Sequence, residues 1–314
     1  MTKLLDPTAQ IDYFYLMNYA KLQLRFVLEN STNDTLLEKR YSDIMKALET
    51  TYRESENNIE ISMLFVNSVN TFARFLGFSG RLKSRVELGK RGLEIADKIN
   101  YKEAIAELCC STIPWALLQQ GNYGEAKTFC LKGLDIALAT DAIKLAGEAT
   151  RSLCGIARDN MNYAESKEWA EKALEYGSRC NNQGLIRGAK MDLAYTGFIK
   201  HDYISAEKIL RDLLDIYIAE KDLEKIANFN AGLGIAILNQ KRIKEAKKLF
   251  DKAFNLGKLL DSQIIMGEAE FGLAKAAEME HKVNLSEKLK RQAINKFRLA
   301  DIKRLGRAYQ FSSD

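Results

Sequence analysis

The sequence predicts an all-α protein, an α-solenoid of about seven helical hairpins. Three observations predict it. Steps of forty residues from Tyr123 land on Tyr163, Tyr203, Ile243 and Val283, always bulky and apolar. Three residues on, the same walk reads Ala126, Ser166, Ala206, Ala246 and Ser286, all small; six on, it reads Phe129, Trp169, Ile209, Leu249 and Leu289. A register held over five copies marks stacked repeats, in which each unit buries its apolar face only against its neighbours.

Each unit divides into two apolar-periodic stretches of about seventeen residues with short polar joints, such as QQGN before Tyr123 and IKHD before Tyr203. Such stretches read as amphipathic helices. Between units, Asp141, Asn181, Asp222 and Asp261 are expected to cap the next helix, accepting from its free amides. Leu153, Leu193, Leu233 and Leu273 recur in the first helices, each followed by a small residue that lets two helices approach closely. Gly133, Ala173, Ala253 and Ala293 do the same in the second helices, with Leu213 as the exception. Upstream, Leu82 takes the Tyr123 position at a spacing of 41, and Leu37 to Leu48 repeats the second-helix spacing after a five-residue expansion. An opening helix from about Thr8 to Glu29 is more aromatic, and NSTND (Asn30 to Asp34) reads as a turn. With only Pro7 and Pro114 as prolines, long helices are expected to run without interruption.

These positions resemble the tetratricopeptide repeat. In LGIAILNQKRIKEAKKLFDKAF the Leu233-Gly234 pair, Ala246, Phe250 and Ala253 match that family's packing sites, and Gly121, Tyr123 and Ala126 match in QGNYGEAKTFCLKGL. The resemblance implies a right-handed superhelix. The sequence departs from the family in its forty-residue period, longer than the usual 34, and in its missing closing proline. The position of the family's tryptophan holds Cys110, Thr150, Lys190, Asn230 and Glu270. The departures imply helices longer by nearly a turn. HEAT repeats, of similar period, rank second because their proline and their Asp and Arg pattern are absent. The expected division is a divergent N-terminal hairpin over 1–56, six hairpins over 57–300, and a basic capping helix with tail over 301–314. The region from about Asn57 to Ala139 is similar to the repeats that follow the nucleotide-binding module in STAND signalling ATPases, but no GxxxxGK[ST] occurs. That similarity implies a free-standing or excised sensor arm. Peptide-binding receptors of Gram-positive quorum sensing use similar repeats; residues 1–30 do not read as the helix-turn-helix of their DNA-binding members.

No stretch of about 18 uninterrupted apolar residues exists, so no membrane span is expected. The start, MTKLLDPTAQIDYF, lacks the apolar core of a secretory signal, and a cytoplasmic location is the expectation. Cys109, Cys110, Cys130, Cys154 and Cys180 form no CxxC pair and read as reduced, buried small hydrophobes. His201 and His281 share one register two units apart, too far for one zinc or one proton relay. There is no GxSxG, HExxH or glycine-rich phosphate loop. The expectation is therefore a non-enzyme with no cofactor and no metal.

Net charge is +5 and uneven: Lys282 to Arg307 holds nine basic residues against two acidic ones, so it carries +7 and the remainder −2. Such an end either docks an acidic partner or forms the solvated cap a solenoid needs. A concave surface lined by the first helices is the better candidate. The register places Asn67, Asn70 and Arg74 there, then Ser111, Trp115 and Leu118, Arg151 and Arg158, Met191, Tyr195 and Phe198, Asn228, and Phe271 and Lys275. Amides can bond an extended main chain, aromatics anchor, and arginines take carboxylates; the aromatics also have a plain packing reading. The expected partner is a protein or peptide in cytoplasmic signalling. The alternatives are nucleic-acid binding through the basic end, mostly to phosphates, or service as a regulatory subunit.

Overall fold

The structure, a computed structural model, describes residues 7–299. The expected cap over 301–314 lies outside the described residues. Among the described residues there are helices and no strands. Three helices open the chain: α1 (Pro7–Glu29), the short α2 (Asp34–Lys39) and α3 (Tyr41–Glu54). Six hairpins follow. They pair α4 (Ile59–Phe78) with α5 (Leu82–Lys98), α6 (Lys102–Glu107) and α7 (Ile113–Gln119) with α8 (Tyr123–Ala139), and α9 (Ile143–Asp159) with α10 (Tyr163–Arg179). Next come α11 (Gln183–Ile199) with α12 (Tyr203–Glu220), α13 (Leu223–Asn239) with α14 (Ile243–Leu259), and α15 (Gln263–Met279) with α16 (Val283–Leu299). Each helix packs on its neighbours in sequence, as the repeat requires.

The forty-residue columns have the expected physical roles. Ala126, Ser166, Ala206, Ala246 and Ser286 are all buried. Leu153 and Leu233 are core, and Phe250 is fully buried against Gly234, where a Cβ would press into its ring. α1 is apolar on both sides: Met17, Ala20 and Leu24 are buried, while Phe14, Tyr15 and Leu22 face solvent.

Three sequence expectations are corrected. Of the four proposed caps only Asp222 accepts from the next helix, at the amide of Lys225. Asp141, Asn181 and Asp261 stand one residue earlier, in the left-handed region with φ of 55°, 50° and 50°. There they end the preceding helix, and the next amide returns to a carbonyl five residues back, as in Ala142 N to Ala137 O at 2.8 Å. Short polar side chains suit that conformation. α12 is one residue longer than its counterparts, so Lys221 is the left-handed residue and Asp222 falls into the cap position. His201 and His281, with φ of 58° and 60°, occupy this same turn position.

The second correction concerns uninterrupted helices. Between α6 and α7 the chain makes a π-helical turn over Leu108–Thr112, with the Ile113 amide bonded to the Leu108 carbonyl. Pro114 follows immediately and has no amide to give the Cys110 carbonyl. The π turn inserts one residue, which accounts for the spacing of 41 between Leu82 and Tyr123. The third correction lies at the N-terminus, where the expected second helix is broken at Arg40 into α2 and α3.

Curvature follows from which helices meet. First helices of successive hairpins pack on one another, α7 on α9, α9 on α11 and α13 on α15. They therefore form one continuous face, here called the inner wall. The second helices are linked by ion pairs: Arg91 to Glu49 at 2.7 Å, Lys90 to Glu125 at 2.6 Å, Lys127 to Glu165 at 2.8 Å and Arg211 to Glu245 at 2.8 Å.

Candidate binding groove

The inner wall gathers some of the predicted residues and separates others. Arg151 and Arg158 of α9 meet on one carboxylate of α11: Arg151 Nε donates to Asp192 Oδ2 at 2.7 Å, and Arg158 Nη1 lies 3.5 Å from Asp192 Oδ1. Tyr195, one turn further along α11, lies under the Arg158 guanidinium, 5.5 Å from ring centre to Cζ. Two glycines make the arrangement possible. A Cβ at Gly188 would collide with the Arg151 guanidinium, and one at Gly232 on α13 would collide with the Tyr195 hydroxyl. Burial, the largest single influence, would depress Arg151, but the charge of Asp192, its hydrogen bond and the charge of Glu148 together outweigh it and keep the guanidinium above its usual range. Burial, with the charge of Glu268, raises Tyr195, so it stays a neutral phenol.

Behind this face runs a buried polar seam. Ser166 and Thr196 hydroxyls meet at 2.7 Å, Ser166 also bonds the Cys154 carbonyl at 3.2 Å, and Thr196 donates to the Asp192 carbonyl at 2.7 Å. Hydroxyls within reach of one another leave no orphaned group in this crossing.

A second cluster surrounds the π turn. Arg85 of α5 is buried and donates to the Thr112 carbonyl at 2.8 Å and the Ser111 carbonyl at 3.2 Å, over the Trp115 ring at 4.6 Å. Burial pushes its pKa down to about 10, partly opposed by Glu148. Asn70 accepts from the Thr112 hydroxyl at 2.9 Å, and its amide nitrogen is buried without a partner. Trp115 is half-buried against Leu82 and Ala116, so part of it is packing.

The remaining predicted residues stand apart. Arg74 is tied to Asp34 at 2.7 Å and to the Ser31 carbonyl at 3.3 Å, which fastens α4 to the turn after α1. Phe271 is core beside Ala293 and Phe297, and Lys275 reaches Glu278 at 3.4 Å. Asn67 and Asn228 are half-buried on α4 and α13. Ser111, Met191 and Phe198 are partly buried, and Leu118 is core. An apolar cleft of about 450 Å³ between α12, α13 and α14 is lined by none of the predicted groove residues.

Sequence reading missed Asp192, Arg85 and Gly188. Asp192 had a signal: its column reads Thr112, Ser152, Asp192, Gly232 and Gly272, a small or polar series with one carboxylate. Arg85 had none, since it comes from a second helix.

Among the described residues, four of the six basic side chains of this end are paired within the fold. Lys282 pairs with Glu280 at 2.8 Å, Arg291 with Glu287 at 3.5 Å, Lys296 with Glu270 at 2.8 Å, and Lys290 with Glu278. Lys303, Arg304 and Arg307 lie outside the described residues. Among the described residues no His, Cys, Asp and Glu group is placed to hold a metal ion, and no helix is long and apolar enough to cross a membrane.

With this geometry in place, comparison with solved structures defines the fold. The apo form of RapI superposes with a TM-score of 0.69 at 15% identity, covering 92% of this chain and 98% of that one. A Rap protein complexed with Competence and Sporulation Factor matches at 0.56 and 12% identity, over 96% and 95%. A STAND protein with a tetratricopeptide repeat sensor from Pyrococcus horikoshii matches at 0.56 and 15% identity, over 91% of this chain and 45% of that one. No family model and no curated protein matches the sequence. The chain is a tetratricopeptide-like repeat protein with lengthened repeats.

Proposed function

We propose that this is a non-enzymatic scaffold or sensor of cytoplasmic signalling that binds a protein or peptide along the inner wall from α4 to α15. One observation carries the reading: Arg151, Arg158 and Tyr195 converge from two successive hairpins on the inner face, Arg151 seated over Gly188 and Tyr195 over Gly232. Side chains of this kind are enriched among energetic hot spots. The quorum sensor NprR from B. thuringiensis, of the same fold at a TM-score of 0.51 and 12% identity over 88% of this chain and 76% of that one, and the Rap complex named above are in keeping with it. The proposed organisation is the N-terminal helices over 1–56, the six binding hairpins over 57–300 and the basic end over 301–314. Affinity capture from the source cells tests it. The wild-type chain is expected to retain a protein or peptide that Trp115→Ala and Arg151→Ala chains lose. Equal retention by all three would contradict it.

A further inference from the structure

We infer that the outer face of α1 pairs with the same face of a second copy of this chain, antiparallel, about a two-fold axis at Asn18. Ile11, Tyr15, Asn18, Leu22 and Arg25 succeed one another at spacings of four, three, four and three residues. That is the seam by which one helix packs lengthwise on another. All five are exposed. The stripe lies opposite Met17, Ala20, Leu24 and Val27, which are buried and anchor α1 to the fold. Tyr13 adds a fastening, donating to Glu54 of α3 at 2.7 Å. The face is firmly seated, and nothing among the described residues covers it. It lies outside the wall from α4 to α15, so the pairing does not depend on the groove.

The apolar side chains on this face are large and bare. Ile11, Phe14, Tyr15 and Leu22 each expose 56–69% of their surface, with Tyr19 exposed beside them. At about 200 Å² for a whole side chain, these five leave about 600 Å² open, the upper end of what a monomer carries. Asn18, Lys21 and Arg25 among them bring the face close to the surface of about 800 Å² that each partner of a stable complex gives up.

The charges select a second copy and its direction. Asp12 stands near one end of the stripe and Arg25 at the other, both exposed and neither in an ion pair among the described residues. At the Asp12 end Glu54 adds a second carboxylate, since Arg53 beside it is taken by Glu49 at 3.0 Å. At the Arg25 end Lys21 and Arg40, the latter 4.2 Å over the Phe26 ring, stand against Glu29 and against Asp43, which Tyr19 reaches. One end is therefore negative, and at the other the cations exceed the carboxylates by one. Such a face complements itself only head to tail. Turned about Asn18, Asp12 comes beside the partner's Arg25 and Phe14 beside the partner's Leu22. Asn18 meets its own copy on the axis, where an amide can both donate and accept. A parallel pair would set like charges together.

Sedimentation velocity of the full chain from about 1 to 100 μM, which reaches the weak end of affinities for an interface of this size, gives the first readout. The wild-type chain is expected to run as a dimer. Tyr15→Asp and Leu22→Asp, at exposed positions and with native circular dichroism, should each weaken the dimer at least about a hundredfold, because each pair then buries the new charge twice. Asp12→Arg or Arg25→Asp singly should weaken it, and the two together should restore it. In a Cys180→Ser background, a short bismaleimide should link two Asn18→Cys chains and leave Glu171→Cys chains single. A wild-type chain that stays monomeric over that range overturns the inference. So does a dimer that Tyr15→Asp and Leu22→Asp leave intact, or one in which Asn18→Cys does not link. A monomer that floats with phosphatidylcholine vesicles through Tyr15 and Leu22 assigns the face to lipid and overturns it as well. Each of these results leaves the groove reading untouched.

Discussion

At the scale of single residues, the repeat lives on close contacts. Phe250 lies between Gly234 and Gly272, where a Cβ at either would press into its ring. Phe250→Ala should therefore cost about 3–5 kcal/mol of stability, read from chemical denaturation, because two helices on either side cannot collapse into the gap. A cost below about 1 kcal/mol would show that the ring is not a keystone where α13, α14 and α15 meet. The cysteines make a second prediction. Burial pushes Cys109 up to about 11 and Cys130 up to about 12, and raises Cys110 and Cys154, so little thiolate forms near neutral pH. Cys180 is only half-buried. A thiol reagent should label one cysteine in the native chain and five after denaturation.

At the scale of the element, the turns that join α5 to α16 within and between hairpins, the π turn apart, share one geometry, with a left-handed residue followed by an amide that returns to the preceding helix. Met161 takes this position with φ of 60° and a side chain 48% exposed, so packing hardly enters. Met161→Val should destabilise by about 1 kcal/mol through the Cβ branch, while Met161→Gly should be neutral or slightly stabilising; equal melting temperatures for the two would contradict the turn geometry. Much of this was legible. The small columns at 126, 166, 206, 246 and 286 show in the sequence because their spacing is fixed by the stack itself. The turn residues were read one position out, because Asp and Asn serve both as caps and in the left-handed region, and composition does not separate the two uses. Asp222 was out of step with its counterparts by one residue, and that offset was the visible sign of the longer α12. The spacing of 41 was visible too, but its cause, a π turn held by Arg85 from another helix, involves a contact between residues 26 and 27 apart.

At the scale of the whole molecule, hairpins are joined on the inner side by packing and on the outer side by charge. Arg91, Lys127 and Arg211 hold Glu49, Glu165 and Glu245 below the ordinary carboxylate range. A depressed folded pKa contributes stability above the unfolded value of about 4.3 and loses it as pH falls through the folded value. Stability should accordingly hold from neutral pH to about 5 and decline below about 4, less steeply at high salt because the pairs are exposed. The groove was only half legible at this scale. Arg151, Arg158 and Tyr195 followed from the register, whereas Arg74 and Phe271 share that register and are drawn into a neighbouring turn and the terminal core. Periodicity gives the face of a helix; it does not say what a later repeat lays over that face.

Site-specific photocrosslinking in the source cells tests the central claim most directly, with a benzophenone side chain at Tyr195 or Met191 on the inner wall and at Lys167 or Glu171 on α10. The account predicts partner adducts at the inner positions alone. Adducts at Lys167 and Glu171 with none at Tyr195 and Met191 would contradict it.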